Sequence, residues 1–179
     1  DGDEVETTLG ITRNSITFVG KGKDTTKILG GFGIYEQENI TFKNMTVTNT
    51  SDNGDGIRMS NAKVELMDVA LKGCDSCALN IRRYISEFSS ETTLVATRCE
   101  FANSRNGANV SSDLTSATFK NCVFHDNSNT GINAIFESTI HLHGEATAVH
   151  SNGGSGVFSA TSAKVLIHLP SHHNTSYNN

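Results

Sequence analysis

Two stretches of the chain read KNMTVTN (residues 43–49) and KNCVFHDN (residues 120–127). They belong to a unit of about 23 residues that recurs along the chain, and each copy opens with a small residue followed by an aliphatic one. A period in this range is typical of a solenoid, because each unit buries its apolar side on the next. The opening pairs are Gly10-Ile11, Gly33-Ile34, Gly56-Ile57, Ala78-Leu79, Gly107-Ala108, Gly131-Ile132 and Gly156-Val157.

Apolar side chains also alternate with polar ones within each unit. This period of two predicts a half-buried strand, and its recurrence predicts that strands of successive units lie side by side. The strand ends at a turn marked by Asn44, Asp68, Arg98 and Asn121, where Asn tolerates a left-handed backbone. The two predicted inward columns are Ile40, Val64, Leu94, Ala117, Ile140, Val165 and Phe42, Leu66, Ala96, Phe119, Leu142, Ile167.

Units with three short strand segments, an Asn-rich turn and stacked aliphatic side chains resemble the right-handed parallel β-helix of the pectate-lyase-like superfamily. The pattern at residues 120–127 is close to the repeat of that superfamily, and the resemblance covers roughly residues 10–170. It implies an all-β fold, a right-handed parallel β-helix of about seven coils, as one domain over residues 1–179. It implies no particular activity, since this fold hosts lyases, hydrolases, epimerases, tailspikes, adhesins and inert shafts.

Composition limits the partners and the cellular location that we expect for the protein. The net charge of −5 and the scattered Lys and Arg residues argue against nucleic acid as a partner. No apolar run approaches the roughly 20 residues that cross a bilayer, so we expect no membrane insertion. The chain starts without Met and ends partway through a turn, which predicts a piece of a longer protein. Asn-X-Ser/Thr sequons suit secretion, so we expect an extracellular, cell-surface or virion-surface location.

One predicted outward column carries the candidate ligand-binding residues. It runs through Arg58, Asn80, Asn109, Asn133 and Phe158. Planar amides, an arginine and aromatic rings suit the hydroxyls and ring faces of a polysaccharide or glycan. The alternative interpretation is a ladder of amides that bond only one another.

The longest unit adds a second candidate surface beside this column. Its surplus residues lie near residues 82–88, and insertions in solenoids commonly emerge on the binding face. Arg82, Arg83 and Tyr84 therefore join the candidate ligand-binding set. The alternative is an insertion without a role.

The four cysteines predict no redox catalysis. Cys99 and Cys122 fall in one inward column, where parallel strands aim both Cβ atoms alike, so we expect free buried thiols rather than a disulfide. Cys74 and Cys77 have the spacing of a redox or zinc half-site, but no second pair matches them. They lie on a turn, where a local disulfide is the alternative in an oxidising compartment.

Histidines crowd the carboxy-terminal third of the chain. His143 and His168 share a predicted outward column with Lys120, so their rings can come within stacking or metal-bridging distance. Two histidines without a paired carboxylate favour a solvated polar face. We therefore expect no metal and no cofactor.

The repeat continues without an interruption typical of the catalytic members of the superfamily. Adjacent Asp pairs, Gly-His-Gly, Arg-x-Lys and Asp-Pro-His are all absent, and no catalytic residue is assigned. The sequence therefore predicts a non-catalytic, structural β-helix module that binds glycans, with homo-oligomers left open. The alternative is a polysaccharide lyase, hydrolase or epimerase acting on a uronate-containing glycan. Arg82 or Arg83 would then be the base or charge stabiliser, with Asp55, Asp113 or Glu137 as acidic partners.

Overall fold

The structure, a computed structural model, describes residues 8–83, 90–168 and 176–179. Within these ranges the chain consists of short strands joined by turns, without a helix. The strands are β1 (Thr8–Ile11), β2 (Thr17–Val19), β3 (Lys27–Leu29), β4 (Gly31–Tyr35), β5 (Ile40–Thr48), β6 (Ile57–Ser60), β7 (Lys63–Lys72), β8 (Cys77–Arg82), β9 (Thr92–Thr97), β10 (Glu100–Ala102), β11 (Asn106–Ser111), β12 (Thr115–Lys120), β13 (Val123–His125), β14 (Ile132–Ile135), β15 (Thr139–His143), β16 (Ala148–His150), β17 (Val157–Ser159), β18 (Lys164–His168) and β19 (Ser176–Tyr177).

The strands form two parallel sheets that follow the coils of the chain. A seven-stranded sheet takes one strand from each coil in the order β1-β4-β6-β8-β11-β14-β17. A twelve-stranded sheet collects the remaining two strand segments of each coil. The predicted all-β solenoid of about seven coils is thereby confirmed.

The strand register confirms the predicted columns, and their side chains are buried from Ile40 and Phe42 through Ile140 and Leu142; on the last coil Val165 is half-buried and Ile167 is 56% exposed. Ile40 pairs with Val64, and the alignment continues coil by coil to Val165. Aromatic rings pack against one another in the interior. The ring centroids of Phe101 and Phe124 lie 4.7 Å apart in a stacked arrangement, and those of Phe119 and Phe124 lie 4.9 Å apart in an edge-to-face arrangement. Burying such side chains stabilises the fold by about 1.5–3 kcal/mol each.

The predicted left-handed turn is also confirmed. Asn44, Asp68, Arg98 and Asn121 have φ angles of 56°, 54°, 53° and 54°. Arginine seldom adopts this region, and here its guanidinium forms two hydrogen bonds to Asp68 on the preceding coil, at 2.8 and 2.6 Å. These bonds from Arg98 hold the pKa of Asp68 below its ordinary value.

The alignment of the first two opening pairs was wrong by two residues. Phe32 pairs with Ile57, and Gly33 pairs with Arg58. The faces assigned to the side chains survive this error because a shift of two residues preserves the side of a strand. Gly10 and Gly33 therefore join the outward column of Arg58.

Candidate functional site

The outward column predicted on the seven-stranded sheet exists. Strand register places Arg58, Asn80, Asn109, Asn133 and Phe158 on successive coils, one beside the next. Four of the seven predicted ligand-binding residues, Arg58 and the three asparagines, are thus brought together by pairing of the backbone alone.

The asparagines of this column form a directed chain of hydrogen bonds. Asn133 Nδ2 donates to Asn109 Oδ1 at 2.7 Å, and Asn109 Nδ2 donates to Asn80 Oδ1 at 3.1 Å. Asn80 Nδ2 donates to Asp55 Oδ2 at 2.8 Å. We call Asp55, Asn80, Asn109 and Asn133 the outward ladder. Each asparagine of the outward ladder donates its hydrogen bond to the residue on the Asp55 side, so the chain of bonds ends at the Asp55 carboxylate.

Asp55 anchors the outward ladder from a buried position. Its side chain is 7% exposed, and its Oδ1 accepts a hydrogen bond from the Cys77 amide at 3.0 Å. Arg58 Nε lies 3.8 Å from Asp55 Oδ2, which is an ion pair but too long for a hydrogen bond. The buried Arg58 Nε has no hydrogen-bond partner within the described residues. From the sequence, Asp55 was expected only as an acidic partner in the enzyme alternative.

The outward ladder leaves part of its hydrogen-bonding capacity unused. An amide side chain has two N–H donors and an oxygen with two lone pairs. Asn109 uses one donor and one lone pair within the ladder. Asn133 uses one donor, and it is half-buried like Asn109. Within the described residues, therefore, both amides retain groups for an external partner.

Exposed aromatic rings lie near the first strands of the column, at Gly33, and at its last strand, at Phe158. The Tyr35 ring lies over Gly33, since a Cβ atom added to that glycine would sit 3.0 Å from Tyr35 Cε2. Tyr35 is 45% exposed and Phe158, at the other end, is 47% exposed. Gly33 and Phe158 are separated by strand spacings that sum to roughly 24 Å. Tyr35 was missed because its ring reaches sideways over a glycine.

Two of the other predicted residues, Arg82 and Arg83, are described by the structure and are not members of the outward ladder. Arg82 is exposed at the end of β8 and pairs in register with Ser111, beside the column. Arg83 follows β8, and its Nη1 contacts both carboxylate oxygens of Asp113 at 2.7 Å. Tyr84 lies outside the described residues.

The carboxylates named for the enzyme alternative are not gathered into one cluster. Asp55 precedes its strand in the seven-stranded sheet, whereas Asp113 and Glu137 follow theirs. Asp55 therefore lies at the opposite end of the parallel strands from the other two acids. Asp113 and Glu137 follow neighbouring strands, because Ser111 pairs in register with Ile135, so these two positions lie at the same end on adjacent coils.

A groove on the twelve-stranded sheet was missed by the sequence analysis. It has a volume of about 370 Å³, and its lining includes Lys23, Lys27 and Lys72. Lys23 and Lys27 lie on the first coil and Lys72 lies at the end of β7 on the third, so the groove forms only when these coils stack. Their charge makes the groove a comparison surface for any acidic ligand.

A group of histidines lies at the carboxy-terminal end of the twelve-stranded sheet. The column of Lys120, His143 and His168 is confirmed, and the two rings stack 4.3 Å apart. His141 also belongs to this group, although the sequence predicted only the pair His143 and His168. Its Nδ1 atom lies 3.1 Å from His168 Nε2. Burial of the ring, followed by its neighbours His168 and His141, lowers the pKa of His143 and favours neutral imidazole.

The cysteines are all free and buried. For Cys99 and Cys122 this agrees with the expected free thiols, and the structure has no local disulfide between Cys74 and Cys77. Burial raises the pKa values of Cys74, Cys77 and Cys122, which keeps these thiols protonated.

Comparison with known proteins gives one family. A family model described as a right-handed beta helix region matches residues 5–179. No curated protein matches the chain. The described residues contain no helix of the length and hydropathy needed to cross a membrane.

Proposed function

The chain belongs to the right-handed β-helix family, and from this premise we propose that it is a non-catalytic module of an extracellular, cell-surface or virion protein that binds a glycan. The ligand lies along the outward column between Tyr35 and Phe158. The outward ladder is the observation that carries this proposal, because it fixes a row of amides at strand spacing on a rigid sheet.

The chemistry of the column supports an oligosaccharide. Each free amide N–H or oxygen pairs with a hydroxyl group, which is both donor and acceptor. Exposed aromatic rings present apolar faces on which the C–H surface of a sugar packs. A span of roughly 24 Å suits an extended chain of several sugars better than a single one.

Preorganisation supports the same interpretation. The Asn80 amide is held by a buried carboxylate, and each further amide is held by its neighbour. Side chains fixed before binding lose little rotamer entropy on binding, which improves affinity. The column therefore offers fixed polar groups with little ordering cost.

Glycan-array screening followed by calorimetry with the best oligosaccharide tests the proposal. We expect Asn109→Ala combined with Asn133→Ala to weaken binding at least about tenfold, the loss of roughly two hydrogen bonds. Tyr35→Ala tests the aromatic end. The matched control is Lys27→Ala with Lys72→Ala in the groove of the other sheet, which should leave the affinity unchanged.

Binding that depends on the groove lysines, or no binding across the array, contradicts the proposal. The same oligosaccharides should be followed for unsaturated products and new reducing ends. Turnover that is lost on Arg82→Ala or Arg83→Ala would establish the alternative, a lyase, hydrolase or epimerase of a uronate-containing glycan.

A further inference from the structure

Three histidines on the twelve-stranded sheet bring their ring nitrogens together. His141 and His143 occupy the same face of β15, and His168 lies on the neighbouring strand β18 in register with His143. One nitrogen from each ring can be chosen so that all lie within 4.8 Å of one another. This cluster plays no part in the proposed glycan surface, which is on the other sheet.

The separations suit a single small metal ion. Two nitrogens bound to one tetrahedral zinc, each at about 2.0–2.1 Å, lie about 3.3 Å apart. His141 Nδ1 and His168 Nε2 are already 3.1 Å apart. The His143 ring lies parallel to the His168 ring at 4.3 Å, so metal binding requires a side-chain rotation that separates these two rings and turns a His143 nitrogen toward the same point.

The surroundings determine the class of ion. The cluster contains no carboxylate, and a set of neutral imidazoles prefers zinc, copper or nickel to calcium or magnesium. Lys120 pairs in register with His143 and is exposed, so its flexible chain can carry the ammonium group away from a bound cation. Leu166 flanks the cluster on β18 in register with His141.

We propose that His141, His143 and His168 form a three-histidine binding site for Zn²⁺, with a fourth position left to water or another ligand. The sequence analysis found only the pair His143 and His168, because His141 pairs with Leu166 and reaches His168 only diagonally. The His141 nitrogen raises the number of protein ligands from two to three.

Zinc titration of untagged protein, stripped of metal by a chelator, tests this site by calorimetry. We expect one Zn²⁺ per chain, with affinity reduced at least about tenfold in each of His141→Gln, His143→Gln and His168→Gln. Cobalt absorption spectra should show a tetrahedral-type band in the parent protein and lose it in the three variants. The side chains changed are on the surface, so circular dichroism should be unaltered.

The matched control is His125→Gln with His150→Gln. These two histidines also stack on neighbouring strands, 5.2 Å apart, but belong to no three-histidine group among the described residues. Unchanged affinity in this control supports the proposal. Equal loss in the control, parent-like affinity in the three variants, or no zinc binding at all would overturn it, whatever the glycan experiments show.

Discussion

Two asparagine ladders in the same molecule have different surroundings. The outward ladder ends on Asp55 and leaves amide groups uncommitted. A second one, which we call the inner ladder, consists of Asn127, Asn152 and Asn179 at the turn leading into the seven-stranded sheet. Asn127 and Asn152 are 1% and 3% exposed. Successive members of both ladders come from neighbouring coils, but Asn109 and Asn133 are half-buried, whereas Asn127 and Asn152 are almost wholly buried.

The inner ladder satisfies the backbone as well as itself. Asn127 Nδ2 donates to Phe101 O and to Asn152 Oδ1, while Asn127 Oδ1 accepts a hydrogen bond from the Ser104 amide. Asn152 Nδ2 donates to Phe124 O and to Asn179 Oδ1. These side chains have little capacity left. An asparagine ladder thus has a structural role when backbone groups occupy its hydrogen-bond donors and acceptors. A ladder whose donors and acceptors are not occupied in this way retains groups that can bind a ligand.

The largest effect is expected from breaking the inner ladder. Asn127→Ala leaves the buried Phe101 carbonyl and Ser104 amide without this partner, so the free energy of unfolding should fall by about 3 kcal/mol. Urea denaturation measures it. The control is Asn129→Ala, an exposed asparagine of the same turn, which should change stability by no more than about 0.5 kcal/mol. Equal losses would mean that burial does not separate the two kinds of asparagine.

Asp55→Asn probes the point where the outward ladder meets the buried turn. The carboxylate accepts from Cys77 N and Asn80 Nδ2, and an amide offers only one oxygen for both. We expect about 2 kcal/mol of destabilisation, since bonds to a charged group are among the stronger ones. Urea unfolding of Asp55→Asn, of Asn80→Ala and of the double variant measures the coupling energy between the two residues. Additive losses would show that the two residues do not act together.

A smaller loss of stability is expected at the middle of the outward ladder. Asn109 is half-buried and, among the described residues, its side chain bonds only to neighbouring amides, so Asn109→Ala should lower the free energy of unfolding in urea by less than about 1 kcal/mol. Glycan affinity should fall in the same variant. A loss of stability as large as that of Asn127→Ala would make the outward ladder a structural element like the inner one.

The smallest effect is expected from the charged pair at the left-handed turn. Because the folded pKa of Asp68 lies below its ordinary value of 3.8, the pair adds stability above that pH and loses it as pH falls through the folded pKa. Asp68→Asn should therefore flatten the acid limb of a plot of unfolding free energy against pH. The change is small because both side chains are partly exposed. An unaltered acid limb would show that the pair adds nothing.

The stacked core could be predicted from the sequence because two periods coincide in it. Alternation along each strand fixes which side chains point inward, and recurrence of the unit fixes which of them meet. The same reasoning correctly placed Asn80, Asn109 and Asn133 in one column. It failed for the first two opening pairs, because small-aliphatic pairs occur at more than one position of a coil.

Contacts between side chains of different columns could not be predicted from the sequence. Tyr35 folds over Gly33, and His141 reaches diagonally to His168. Such contacts depend on side-chain rotamers and on the space that neighbouring side chains leave. Neither repeats with the period of the strand or of the coil, so the sequence pattern does not predict them. Arg83 was assigned to a ligand surface and, in the enzyme alternative, to an acidic partner that could be Asp55, Asp113 or Glu137; the structure pairs its guanidinium with Asp113.

The sequence by itself determined the coil, the strand faces and the identity of the side chains in each column, because a repeat maps distance along the chain onto position in the stack. The tertiary structure decided which columns are saturated and which remain available. Asn127 and Asn109 illustrate this: Asn127, in the turn after β13, is 1% exposed and bonds to backbone groups, whereas Asn109, on the outward face of β11, is half-buried and bonds to side-chain amides. Burial is set by the neighbouring coils together, and a single strand pattern does not encode it.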